Sequence, residues 1–190
     1  MTTANEHETH ETVSEDFYYP NHDARTASPT FNHTTAQGKK LGTRCAITGQ
    51  KEKVEYHHAF CEWAFAGAVD WVKVKGIAIG TVKELPVLDP YTWKPTGKMA
   101  PVEGFLVYLI VKFFMWRGFD FYSFDPAKPE TLVDSLPAML PLHAHLHREK
   151  NHGAHVITGP IFLLQAWPFV DGFVFSPDEL EARHKDAAKP

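Results

Sequence analysis

The chain has 190 residues, 44% of them hydrophobic and 13% aromatic, enough for one ordinary domain with a real core. Its net charge is −4, and residues 41–190 carry seventeen acids against sixteen bases, which excludes a strongly basic nucleic-acid-binding protein. Two cysteines, Cys45 and Cys61, are too few for a disulfide framework. The longest apolar stretch, 105–116, contains Lys112 and falls short of the ~20 residues of a membrane span.

Residues 1–40 are rich in Thr, His, Glu, Asn and Ser and hold six acids against three bases. With little to bury, this stretch reads as a flexible N-terminal arm, and it lacks the charged-then-apolar pattern of a signal peptide. A cytoplasmic protein, of a bacterium or a phage-infected host cell, is the expectation. Order is expected from Leu41, in one domain over 41–190. Residues 43–47 and 54–57 read as two short strands joined by the turn Thr48-Gly49-Gln50-Lys51, a β-hairpin that closes on His57-His58.

Phe60, Trp63, Ala64, Ala68 and Trp71 recur at helical spacing, which predicts a helix over about 59–74 with Gly76 as terminator. Residues 77–100 read as an irregular connection. Pro101 suits the first position of a second helix, Glu103 its first turn and Gly118 its end. That helix is apolar on most faces, which points to the core first and to a homodimer interface second. Pro137 and Pro141 bracket Ala138-Met139-Leu140, after which 143–150 read as a His-rich helix. Residues 162–167 form a short apolar segment, and Ser176-Pro-Asp-Glu179 is a capping box that opens a polar helix to about 185.

Seven of the twelve histidines fall in two clusters, His57-His58 and His143-x-His145-x-His147-x₄-His152-x₂-His155. Neutral imidazole is the commonest protein ligand for transition metals and titrates near physiological pH, so a strand-borne pair facing a helix-borne set suits a metal and a general base. A hairpin ending in His-His, followed later by a loop and a His-bearing helix, resembles the ββα-metal (His-Me finger) fold of HNH endonucleases. The family line reads Cys-x₂-Cys-Gly, a strand closing on Asp/His-His, then Asn-x₃-Leu-Cys-x₂-Cys-His-x₃-Asn/His. Here Cys45-Ala-Ile-Thr48-Gly49, Val54-Glu-Tyr-His57-His58 and Ala138-Met-Leu-Pro-Leu142-His143-Ala-His-Leu146-His147-Arg-Glu-Lys-Asn151 stand in those places. Phe124-Asp-Pro-Ala, Val133-Asp-Ser135 and Gly153-Ala-His155 are also similar to an HNH-type group of phages and prophages.

The resemblance spans roughly 43–176 and implies an α+β fold, a ββα-metal core with helices inserted at about 59–135. It implies a DNA phosphodiesterase in which His57 and His147 hold a divalent ion (Mg, Mn, Ni or Zn) and Asn151 is the third ligand or an outer-shell member. His58 would be the general base that deprotonates a water. Two positions depart from the family line. Ala138 replaces the loop asparagine that orients the base. The four structural-zinc positions are Cys45, Thr48, His143 and Leu146, and a closed zinc site needs four ligands, so no structural zinc is expected. DNA is the implied partner, with no membrane. The alternatives left open are a catalytically degraded HNH-like module that binds DNA or protein, and a metal-dependent hydrolase of another class.

Overall fold

The structure is a computed structural model that describes residues 27–148, 154 and 166–171. Its described part is α+β, with small antiparallel sheets and short helices. The first helix, α1 (Pro29–Leu41), lies where the sequence predicts a flexible arm. Its ends carry ordinary stop and start signals. Ser28 Oγ accepts the Phe31 N–H at 2.9 Å, Pro29 follows, and Gly42 closes the helix at φ +63°. Small polar groups dock it. Thr34 Oγ1 donates to the Asp134 carbonyl at 2.7 Å, and Gly38 sits so close to Tyr56 that a Cβ would lie 1.7 Å from its Oη.

The predicted hairpin does not form. Strand β1 (Val54–His58) pairs antiparallel with β4 (Met139–His143), in the register Val54↔His143 to His58↔Met139. Residues 43–47 are not a strand, because Cys45 instead closes a tight turn. The Gly49 N–H bonds the Cys45 carbonyl, the Cys45 N–H bonds the Gln50 carbonyl, and Gly49 takes φ +72°. The turn meets β4 through the backbone bond from Ala46 N–H to the Pro141 carbonyl at 2.8 Å and through the Cys45 sulfur, which the His143 backbone approaches. Pro141 lacks an N–H for the ladder but sits in a two-stranded sheet, where an edge proline is tolerated. The helix α5 (Ala144–Arg148) follows β4 directly and starts one residue later than predicted. Its first N–H, at Ala144, bonds the Lys53 carbonyl at 2.8 Å and pins the helix beside the start of β1.

The chain between β1 and β4 builds the core. The single helix predicted over 59–74 is a 3₁₀ turn, Trp63–Ala68, followed by α2 (Trp71–Ile79). Asp70 caps α2 by accepting the Lys73 N–H at 2.9 Å, and Gly80 rather than Gly76 ends it, at φ +80°. Gly76 stays inside the helix because Val82 folds back on it, with Cγ2 2.6 Å from a would-be Cβ. Residues 77–100 are not an irregular connection: β2 (Glu84–Leu88) and β3 (Pro95–Pro101) pair antiparallel with a bulge between Pro86 and Leu88. Pro101 therefore ends a strand, and α3 (Leu106–Trp116) begins five residues after it.

Val107, Ile110, Val111 and Phe114 bury one face of α3 at i, i+3, i+4 and i+7 against Trp71, Val74 and Ile77 of α2. Phe121, Phe124 and Trp167 extend this cluster, and Trp167 Nε1 donates to the Phe60 carbonyl at 2.9 Å. The short α4 (Glu130–Val133) and a 3₁₀ turn, Leu136–Ala138, return the chain to β4. No described helix is long and apolar enough to cross a membrane. The capping box at 176–179, and the 162–167 segment up to residue 165, lie outside the described residues.

Candidate metal centre

Alternation along β1 places Glu55 and His57 on one face and Tyr56 and His58 on the other. Because α5 leaves β4 without a loop, its residue His147 is laid against the first of these faces. The His57 and His147 rings come together edge to face, their centroids 5.4 Å apart at 69°. With metal–nitrogen bonds of about 2 Å and about 1.1 Å from nitrogen to ring centre, two imidazoles on one ion have centroids about 5 Å apart. The observed 5.4 Å lies near that spacing.

The surrounding carboxylates also bear on the pair. Glu55 Oε2 accepts from His147 Nδ1 at 2.8 Å, and its other oxygen pairs with Arg148. Burial works against the Glu55 carboxylate, but the His147 and Arg148 bonds outweigh it and hold its pKa below the ordinary value. A proton fixed on His147 Nδ1 leaves Nε2 as the lone-pair nitrogen, the arrangement by which an outer carboxylate orients a metal-ligating histidine. On the other ring, His57 Nε2 lies 4.0 Å from Glu62 Oε1. The two opposite nitrogens, His57 Nδ1 and His147 Nε2, are both buried. Among the described residues no three His, Cys, Asp or Glu side chains form a metal-holding group. Asn151, the third predicted ligand, lies outside the described residues, as do Lys150, His152 and His155.

His58 does not join the pair. The strand turns it inward, where it is 5% exposed. Its Nδ1 meets the Val133 carbonyl at 3.1 Å, and its Nε2 lies 3.7 Å from Asp134 Oδ1. Asp134 is itself buried, and its second oxygen accepts the Ser28 hydroxyl at 2.6 Å. Ser28, Asp134 and His58 thus form an internal polar chain from α1 to β1. Ala138, in the place of the loop asparagine, is buried and offers only its backbone, which accepts the Ala59 N–H at 3.0 Å. The hydrogen-bond partner of His58 here is the Val133 carbonyl, not a side chain at position 138.

The remaining candidates separate. His143 is the last residue of β4, not a helix residue one turn before His147, and its Nδ1 accepts the His145 N–H at 3.2 Å. His145 is exposed. Cys45 is buried, with the Thr48 N–H 3.4 Å from its Sγ. Burial disfavours its thiolate, but hydrogen bonds from Thr48 and from the backbone of His143 and Ile47 prevail and bring the pKa down to about 7. Cys61 is a core residue whose thiol is pushed up by burial and by Glu62. Sequence reasoning missed Glu55 and Glu62. Glu55 carried a readable signal, since a residue two before His57 on a strand must share its face. Glu62 carried none, because its approach to His57 depends on the irregular turn after β1. No family model, curated protein or solved structure matches the chain.

Proposed function

We propose that β1, β4 and α5 form a ββα-metal unit of the HNH type and that the chain is an endonuclease hydrolysing phosphodiester bonds in DNA with a divalent ion. The observation that supports this reading is the His57–His147 pair, 5.4 Å between ring centres, with Glu55 bonded to the outer nitrogen of His147. In this reading His57 and His147 hold the ion, and Asn151 completes the protein share of the ligands. When bound, the ion supplies charge stabilisation at the scissile phosphate and the leaving 3′ oxygen. Glu55 keeps His147 in one tautomer, and Glu62 sits behind His57.

His58 is the general base of this reading. In the buried position its Nδ1 meets the Val133 carbonyl and its Nε2 lies near Asp134, so to take a proton from water the ring must leave both contacts and turn outward. That burial, together with Ala138, favours a second reading, a catalytically degraded module in which His58 ties β1 to the 133–135 segment.

Plasmid nicking with Mg²⁺, Mn²⁺, Ni²⁺ and Zn²⁺, run beside calorimetric titration of the same ions, separates the two. The nuclease reading expects nicking in at least one ion, a loss of about 100-fold or more in His58→Ala, and loss of ion binding in His57→Ala/His147→Ala. Ion binding without nicking in the folded wild type would establish the degraded module. Folded wild-type protein that binds no ion and nicks nothing would defeat the nuclease reading, and DNA or protein binding unchanged in His57→Ala/His147→Ala would then support the module.

A further inference from the structure

Beside the histidine pair lies a groove of about 520 Å³, walled by three separate segments: Lys39 at the end of α1, Lys51 and Lys53 ahead of β1, and Arg148 at the end of α5. Glu55 joins the groove to the pair, because the same carboxylate that holds His147 also pairs with Arg148. A second concavity of about 450 Å³ shares Lys53, Ala144 and Arg148 with the first and adds His143 and His145. The basic residues are concentrated here against the trend of the molecule. Residues 39–53 carry five bases and one acid in a chain of net charge −4.

Lys39 and Lys40 also suit the negative end of α1. That does not account for Lys51, whose Nζ reaches back over Gly42 to within 3.9 Å of a would-be Cβ there. Nor does it account for Lys53 and Arg148, which come from other elements. The one carboxylate lining the groove, Glu55, accepts from His147 and is ion-paired with Arg148, so the charge it sets against the lysines is already offset by the guanidinium.

We propose that this groove carries the phosphodiester backbone of a DNA strand, leading from the His57–His147 pair past Arg148 and Lys53 to Lys51 and Lys39. The proposal rests on the reading of DNA as the substrate. Phosphate contacts of this kind position a strand without reading its sequence, and their cost of removal shows in the salt dependence of binding.

The test is fluorescence anisotropy of a short labelled DNA duplex with the full chain in EDTA, so that neither metal nor cleavage enters. Lys39→Glu/Lys51→Glu is compared with Lys98→Glu, a lysine exposed on β3, circular dichroism and melting confirming that each is folded. The groove predicts a rise in Kd of tenfold or more for the double variant and none for Lys98→Glu. It also predicts an intermediate loss for Lys39→Gln/Lys51→Gln, and a salt slope shallower by about 2 in the charge-reversed protein. Equal losses in the groove and Lys98 variants, or no binding by wild type, would overturn it. Tighter binding of an RNA of the same sequence, lost in the same variants, would overturn DNA as the occupant. A protein that binds through the groove and cuts nothing leaves the groove standing without the nuclease. One that cuts undiminished in Lys39→Glu/Lys51→Glu does the reverse.

Discussion

Glu55 and Cys45 show how far single residues near the site are set by backbone rather than by motif. Glu55 sits between His147 and Arg148 because β1 gives it the same face as His57, and its role follows from strand period alone. The pairing of His57 with His147 was implied by the resemblance to the HNH line rather than by spacing. The inward turn of His58 was legible, since neighbours on a strand face opposite ways, but a His-His motif read as a unit hides it. Cys45, which the family resemblance sets at a zinc position, sits in a turn that aims N–H groups at the sulfur. Those donors predict a thiol that titrates near 7. A lowered folded pKa means that the thiolate adds stability in full above the ordinary 9.0, and that this is lost as pH falls through about 7. Thiolate ultraviolet absorbance should therefore rise with a midpoint near 7 and vanish in Cys45→Ser. Urea midpoints of wild type should drop from pH 9.5 to pH 6 by more than those of Cys45→Ser. A midpoint at the ordinary thiol value would mean that the turn does not hold its N–H groups on the sulfur.

At the scale of elements, the sequence misled wherever small or cyclic residues do the packing. Helix α1 has no stripe of large apolar residues, so its composition resembles a solvated arm. It docks through Thr34, Gly38 and the capping Ser28, which periodicity counts as polar or neutral. Strand β4 carries Pro141, and β2 and β3 carry Pro86, Pro95, Gly97 and Pro101; each reads as a breaker, yet two-stranded sheets tolerate them at edges and bulges. Helix α3 was visible because its buried face is large and apolar, and only its ends shifted, whereas the helix expected over 59–74 is a 3₁₀ turn followed by α2, which shares only residues 71–74 with it. The docking of α1 makes a prediction with a sign. In an isolated helix Gly38→Ala should stabilise by about 1 kcal/mol through propensity. Against Tyr56, with its Oη 1.7 Å and Cζ 2.5 Å from the new Cβ, overpacking should instead cost about 1–3 kcal/mol. Urea unfolding of Gly38→Ala decides between them, and a rise in stability would mean that α1 does not rest on β1.

At the scale of the whole molecule, the helical unit does not merely hang between the two strands; it fixes where the second one runs. Arg117, at the end of α3, donates to the Met139 carbonyl at 2.8 Å and to the Leu136 carbonyl at 3.2 Å. Partial burial lowers its pKa from the ordinary value without depriving it of charge at neutral pH. One guanidinium thus joins the core helix to the first residue of β4 and to the turn before it, and β4 in turn carries α5 and His147. Met139 is the register partner of His58, so the same bond lies beside the last residue of β1. No motif announces this, because the bond runs from a side chain to main-chain carbonyls and depends on where α3 ends. Arg117→Met keeps the stem and the bulk but leaves both carbonyls without that donor, a cost of about 1–3 kcal/mol for a buried acceptor. The expected outcome is a lower urea midpoint, together with faster amide hydrogen exchange across β1 and β4 and little change in β2 and β3. If His57 and His147 hold an ion as proposed, its affinity should weaken in the same variant, because both belong to elements that Arg117 holds in register although it touches neither ring. Unchanged exchange in β1 and β4 would show that the strand pair is set by its own ladder and owes nothing to α3.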